Sequence, residues 1–270
     1  MITCRLKGGL GNIMFQIAAI EAMSIDSGIS SVYYNVGSQL KLINDDVNHN
    51  PLIKHANEYL TIFKNFDWNK NFKDRVSFRT IKVPFHYTKI RPEKNTCYDG
   101  FFQSEKFFKH REREIRTLFE PSNKIIKYIQ EKYPFIFNTD ITSIHVRRGD
   151  YLKLSHIHPP PSIEYFNKAI EMIGKNSTFI IFSDDIQWCR ENFKGSNFIF
   201  SNEKDYIELF MMSFCKNNIM SNSSFSWWGS WLNKNPNKKV IAPMLWFSQE
   251  AAQRKGINPI DIIPETFIKI

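Results

Sequence analysis

Cysteine is scarce in this sequence and scattered. The four are Cys4, Cys97, Cys189 and Cys215, and no two lie within four positions of each other. That excludes a CxxC zinc knuckle and a dense disulfide scaffold, and the expectation is reduced thiols in a cytoplasmic protein. Glycine (11) and proline (12) are too few for a fibrous or low-complexity chain. No apolar run reaches the roughly 18 residues a membrane span needs. The first residues, Met1-Ile2-Thr3-Cys4-Arg5-Leu6-Lys7, run into a glycine loop without the apolar core of a signal peptide. A cytoplasmic location is therefore expected, with peripheral contact at the inner membrane left open. HExxH, Gly-x-Ser-x-Gly and Cys/His ligand clusters are all missing, which removes zincin, α/β-hydrolase and structural-zinc readings.

What is present suits a globular protein. Of 270 residues, 42% are hydrophobic and 15% aromatic, with 24 Phe, enough core for one large domain or two small ones. The formal net charge is +9. A basic chain points to an anionic partner: nucleic acid, acidic lipid or a phosphorylated substrate. A composition rich in Lys, Asn, Ile and Phe explains the same charge without a partner. Basic residues are dispersed, with Arg147-Arg148 and Lys238-Lys239 among the few adjacent pairs, so no nucleic-acid arm stands out.

Periodicity supplies the organisation. Ile2–Leu6 reads as a strand, Gly8–Asn12 as a loop, and Ile13–Met23 as a helix. The region from 35 to 100 reads as short helices and irregular segments. Helices follow at Phe107–Phe119 and Ser122–Tyr133, the second stopped by Pro134. From residue 139 the pattern becomes regular. Strands are expected at Ile141–Val146, Thr178–Phe182, Phe198–Phe200, Asn218–Met220 and Lys239–Ala242. The helices between them are Ser162–Ile173, Ile186–Phe193, Asp205–Cys215 and Trp227–Leu232, with Ser162 able to cap the first and Ser221–Ser226 a polar loop before the last. Alternating strands and helices predict a parallel sheet covered on both faces. The fold expected is α/β, two Rossmann-like halves facing a cleft, divided into residues 1–138 and 139–270.

Ligands of open α/β sheets bind outside the carboxyl ends of the strands. Three polar clusters fall at such ends. In His145-Val146-Arg147-Arg148-Gly149-Asp150, two guanidiniums beside a turn-forming glycine suit a diphosphate. The bland reading pairs one arginine with Asp150 and leaves the other in solvent. His145 shares a sheet face with Arg147 and suits a core histidine or a ligand contact equally. Ser221-Asn222-Ser223-Ser224-Phe225-Ser226 offers hydroxyls and N–H groups at a helix start, for an anion or for simple capping. Asp184-Asp185 suits a metal, a guanine edge or a helix cap. Gly8-Gly9-Leu10-Gly11-Asn12 is neither GxGxxG nor a Walker A loop; either it is a plain turn, or a ligand approaches its backbone closely at Gly9 and Asn12. His156 and His158, beside Pro159-Pro160-Pro161, read as loop residues, and Trp227-Trp228 as core.

The glycine loop with Met14-Phe15-Gln16, then Gly100-Phe101-Phe102-Gln103-Ser104-Glu105-Lys106-Phe107, His145 to Tyr151, and Ser221 to Leu232 together resemble the bacterial alpha-1,2-fucosyltransferases. Ala242-Pro243 and Pro264-Glu265 fit the same pattern, and the resemblance spans nearly the whole chain. Two positions depart from it: Ile13 stands where many members have Gln, and Phe267 where a Trp is common.

The resemblance implies a GT-B-like glycosyltransferase that inverts the anomeric centre, uses GDP-fucose and needs neither metal nor resident cofactor. Arg147 would hold the diphosphate, with Arg148 and His145 beside it. Asp184 would meet guanine, and Ser223 and Ser224 the phosphates. Gly9 and Asn12 join the donor-binding set, and Asp150 is either general base or an orienting partner of the arginines. Residues 1–138 would form the acceptor-side domain and 139–270 the GDP-sugar domain. The acceptor expected is a galactose-containing oligosaccharide or lipid-linked glycan of O-antigen or capsule assembly. Competing readings are a transferase of another GDP- or UDP-sugar, a basic nucleic-acid binder and a non-catalytic carbohydrate-binding module. Dispersed charge speaks against the second, and a two-arginine site against the third.

Overall fold

The computed structural model describes residues 1–33, 62, 77–138 and 140–270. The chain packs as two units: Met1–Ser122 with Ile260–Ile262, and Asn123–Pro259 with Ile263–Ile270.

The first unit holds a three-stranded parallel sheet, with β1 (Ile2–Cys4), β2 (Arg79–Lys82) and β3 (Thr96–Asp99) in the order β1-β3-β2. Helix α1 (Leu10–Ser27) follows β1. It starts straight after Gly9, so Gly11 and Asn12, expected in the loop, belong to its first turn. Its apolar residues are buried on nearly every side, so this is a core helix rather than an amphipathic one. Ile13 is fully buried within it and presents nothing to a ligand. Gly28, at φ 67°, ends it in the left-handed conformation that favours glycine. The stretch expected as one helix over 107–119 is instead two short 3₁₀ turns followed by α2 (Glu112–Leu118). Residues 34–61 and 63–76, most of the region read as irregular, lie outside the described residues; its described end contains β2 and β3.

The second unit opens with α3 (Asn123–Lys132) and is built on a six-stranded, wholly parallel sheet. Its strands are β4 (Ile141–Val146), β5 (Thr178–Ser183), β6 (Phe198–Phe200), β7 (Asn217–Ile219), β8 (Val240–Ala242) and β9 (Ile268–Lys269), in the order β6-β5-β4-β7-β8-β9. Central β4 is buried at every position, as a strand covered on both faces must be. After a single helical turn at Phe135–Asn138, the helices that follow β4 are α4 (Gly149–Lys153), α5 (Ile163–Ile173), α6 (Ile186–Asn192), α7 (Asp205–Phe214), α8 (Ser224–Leu232) and α9 (Gln249–Lys255). Ser162 sits at the cap position of α5, but its side chain accepts no N–H there. Ile144, Phe166, Phe179, Ile181, Ile219 and Ile241 form the core between sheet and helices. Trp227 and Trp228 are fully buried on α8, and Phe267 packs against Trp227 with ring centroids 6.5 Å apart. All four cysteines are free thiols.

Candidate active site

Because the six strands are parallel, their carboxyl ends share one edge, and hydrogen bonds tie three of them together there. Ser221, past β7, donates its hydroxyl to the His145 carbonyl at 2.7 Å and accepts the Arg147 N–H at 3.0 Å. Asp184, past β5, accepts the Arg148 N–H at 2.9 Å through one carboxylate oxygen. Its other oxygen meets the Arg147 guanidinium at 2.8 Å. The clusters at Arg147, Asp184 and Ser221 therefore converge, as the strand-end reading expected.

The two arginines are held differently. Arg147 spreads its fork between Asp184 and Asp150, the latter at 2.6 Å, and lies 5.4 Å over the Tyr151 ring. Arg148 turns toward β5, pairs with Asp185 at 3.1 Å and stacks 4.1 Å over Trp188. Asp185 also caps α6 by accepting the Trp188 N–H. The expected Arg147–Asp150 pair is present, but Arg148 is not the solvated charge of the bland reading. Asp184, expected against guanine, has both oxygens engaged by this chain's own donors. The Asp150 carboxylate is more than half exposed (56%), so its pair with Arg147 contributes on the order of 1 kcal/mol or less and yields readily.

Of the serine cluster, Ser221 and Ser226 bond to backbone carbonyls, and the Asn222 amide donates to the carbonyls of Pro159 and Trp246. Ser223 stands at the cap of α8 without a side-chain cap bond, and Ser224 begins the helix. Ser224–Ser226, expected as loop, are thus the helix's first turn, whose N–H groups carry partial positive charge.

Among the described residues of this unit, three buried side-chain polar atoms have no partner: His145 Nδ1, His158 Nδ1 and Asn222 Oδ1. Folded proteins rarely leave such atoms unpaired, so each has room for a further hydrogen-bond partner. His158 is not an isolated loop residue, since it stacks on Tyr151 at 4.8 Å and packs on Phe247 at 5.0 Å. Tyr151 in turn donates its hydroxyl to the Asn222 carbonyl at 3.2 Å. Tyr151 and Trp188, the rings under the two arginines, carried no distinguishing signal in the sequence; only an arginine's demand for an apolar face could have suggested them.

Burial, and then the Arg147 charge, pushes His145 down to about 3. The unfolded chain binds that proton near pH 6.5, so this histidine's contribution is intact above 6.5 and is lost progressively as pH falls toward 3. The wild-type melting temperature should therefore drop faster between pH 6.5 and 4 than that of His145→Asn. Their difference in slope should be at most about 1.4 kcal/mol per pH unit. Parallel pH curves for the two proteins would refute a buried neutral histidine.

In the first unit, Gln16 closes the glycine loop with two hydrogen bonds to the Lys7 backbone, at 2.9 and 3.0 Å. Gly8 has φ +83°, and a Cβ there would lie 2.3 Å from Asn12 Nδ2, so glycine is required at this position. Gly9, extended and exposed at the start of α1, would accommodate a Cβ without contact. Asn12 faces Gln103 and accepts a hydrogen bond from its amide. Among the described residues, no group of three or more His, Cys, Asp or Glu side chains is placed to hold a metal ion. No helix among them is long and apolar enough to cross a membrane.

A solved structure of POFUT1 with GDP superposes on this chain with TM-score 0.51 over 89% of this chain and 97% of that one, at 11% identity. That likeness and the parallel sheets define a two-unit α/β fold of the GT-B type. The chain belongs to glycosyl transferase family 11, whose pattern matches residues 1–260. It is similar to an alpha-1,2-colitosyltransferase of Escherichia coli, with 31% identity over the whole of this chain and 99% of that protein. It is also similar to the mouse galactoside 2-alpha-L-fucosyltransferase Sec1, with 24% identity over 86% of this chain and 64% of that protein.

Proposed function

We propose that this glycosyltransferase moves L-fucose from GDP-fucose, with inversion, to the 2-hydroxyl of a galactoside in a cell-surface glycan. One observation carries the reading: the ends of β4, β5 and β7 are bonded together around Arg147, beside the start of α8. In this proposal the diphosphate displaces the exposed Asp150 from Arg147 and is held by that guanidinium, by Ser223 and Ser224, and by the N–H groups of α8. Arg148 and His145 support the strand end from either side. The transition state is oxocarbenium-like, and negative charge grows on the departing β-phosphate. Donors already in place stabilise that charge more than they stabilise the ground state. Asp150, released from Arg147, then lies free to take the acceptor's proton. The first unit serves the acceptor side, with Gly9 and Asn12 at the start of α1 adding contacts to the donor, and the second binds the nucleotide. The basic charge suits a cytoplasmic enzyme working against an anionic membrane surface on a lipid-linked glycan.

A donor panel tests this directly. GDP-fucose should be consumed and GDP-mannose and UDP-sugars spared, with the product linkage read by NMR. The colitosyltransferase relative supports a second reading, a nucleotide-activated colitose as donor; it prevails if that donor is preferred. Because guanidinium and helix N–H groups supply the positive charge, transfer should persist in excess EDTA. A rate that collapses with chelator and returns with a divalent cation would sink the metal-free mechanism.

A further inference from the structure

We propose that Gln103 accepts a hydrogen bond from a sugar hydroxyl of the substrate through its side-chain oxygen, at the start of α1, and helps to select that sugar. The inference rests on the sugar-transfer reading above but not on the identity of the sugar.

Gln103 is 94% buried by its 6% relative exposure, and its Oε1 has no partner. Its amide nitrogen is already spent on Asn12, in the first turn of α1. A buried, unpaired carbonyl oxygen costs about 1–3 kcal/mol, so a structure that keeps one needs a reason. The backbone is also strained at this point: Phe102, a bulky residue with no exposure, has φ +54°. Such a conformation costs on the order of 1–3 kcal/mol and persists where surrounding contacts enforce it, often at ligand sites. Here it carries the chain from β3 to Gln103.

The surroundings are preorganised. Gln16 pins the glycine loop to Lys7, and α1 starts without a side-chain cap bond. Gly9 leaves open space in front of that start. The Asn12 and Ile13 N–H groups already donate to the Gly9 carbonyl, which leaves the Leu10 N–H as the donor for an arriving group, with one unsatisfied acceptor on Gln103. An ionised phosphate could use that donor but has no hydrogen for Oε1. A neutral hydroxyl satisfies both at once, accepting from N–H and donating to Oε1. The geometry thus favours a sugar ring hydroxyl over an anion. The hydroxyl could belong to the donor's sugar or to the acceptor, and the test separates them.

Gln103→Met keeps the length and removes the acceptor; Gln103→Glu keeps an acceptor. Donor hydrolysis without acceptor and full transfer are measured with the parent sugars and a monodeoxy series of each. For the wild type, removing the relevant hydroxyl should cost about tenfold in kcat/KM. Gln103→Met should raise KM for that sugar about tenfold with kcat within threefold, and should no longer distinguish it from its deoxy analogue. Gln103→Glu should keep the distinction. A defect seen in donor hydrolysis assigns the hydroxyl to the donor, and one confined to transfer assigns it to the acceptor. If Gln103→Met does not fold, Gln103→Asn, which draws the carbonyl back by one methylene, must lose the distinction as well. Deoxy penalties that survive unchanged in the folded variant overturn the proposal. If the wild type consumes a nucleotide sugar other than GDP-fucose, the fucose reading falls, and the comparison is made with the donor that turns over.

Discussion

Arg147→Ala should lower the transfer rate by about 10²–10³, the usual effect of removing one preorganised donor from a developing anion, while leaving the protein folded. The rate effect follows from the fork. One terminal nitrogen is anchored by Asp184 at 2.8 Å, and the other is held only by the exposed Asp150 at 2.6 Å. The second is the one a phosphate can claim. The small stability effect follows from exposure, because partly solvated ion pairs contribute about 0–1 kcal/mol. Arg148→Ala should behave in the opposite sense. It removes a guanidinium that stacks 4.1 Å over Trp188 and pairs with Asp185, so it should lower the melting temperature more than Arg147→Ala does. Arg147→Lys should recover only part of the rate, since a point charge cannot reach Asp184 and a phosphate together. Paired kinetics and thermal melts of the three variants decide the matter. Near-normal transfer by folded Arg147→Ala would reject the diphosphate role.

How much of this was legible in the sequence depends on what each segment packs against. β4 was legible to the residue, because Ile141, Ile144 and Val146 mark a short buried strand that stops at the Arg147-Arg148-Gly149 turn. β9, two exposed residues at the sheet edge, and β2, Arg-Thr-Ile-Lys with little burial, left no pattern to find. Ser224–Ser226 looked like loop because serine is a weak helix former, yet the buried tryptophans that follow carry the helix back through it. The site was legible as a set of strand ends, since parallel topology gathers them whatever the details. Its internal wiring was not. Asp184 lies 36 positions from Arg148, and no local rule links the two, so its bonds to that strand end could not be read beside the metal, base and cap alternatives. Gln103 sits in the Gly100-to-Phe107 motif, but its buried unpaired oxygen is a property of packing alone.

That wiring predicts a large effect at Gly149, a residue without functional groups. A Cβ there would stand 2.5 Å from Asp184 Oδ2, the oxygen that anchors Arg147. Gly149→Ala must therefore push Asp184 aside, and with it go the Arg147 contact and the Arg148 N–H bond. Displacing a charged group by about 1 Å can cost 10²-fold in rate, and that is the expected loss of kcat. Stability should fall by about 1 kcal/mol or less, because the ion pairs disturbed are partly solvated. Asp184→Ala alone should lose a similar rate factor, because Arg147 is no longer steered. The double variant should be no slower than Asp184→Ala, since the added methyl then has nothing to strike; two changes acting through one contact do not add. Discrimination between GDP-fucose and its inosine analogue, which lacks only the guanine 2-amino group, separates this role from base recognition. If Asp184 steers Arg147, the Asp184→Ala ratio of the two donors matches wild type. A collapsed ratio, or rate losses that multiply in the double variant, would return Asp184 to the nucleotide base and leave the intolerance of a side chain at Gly149 without its explanation.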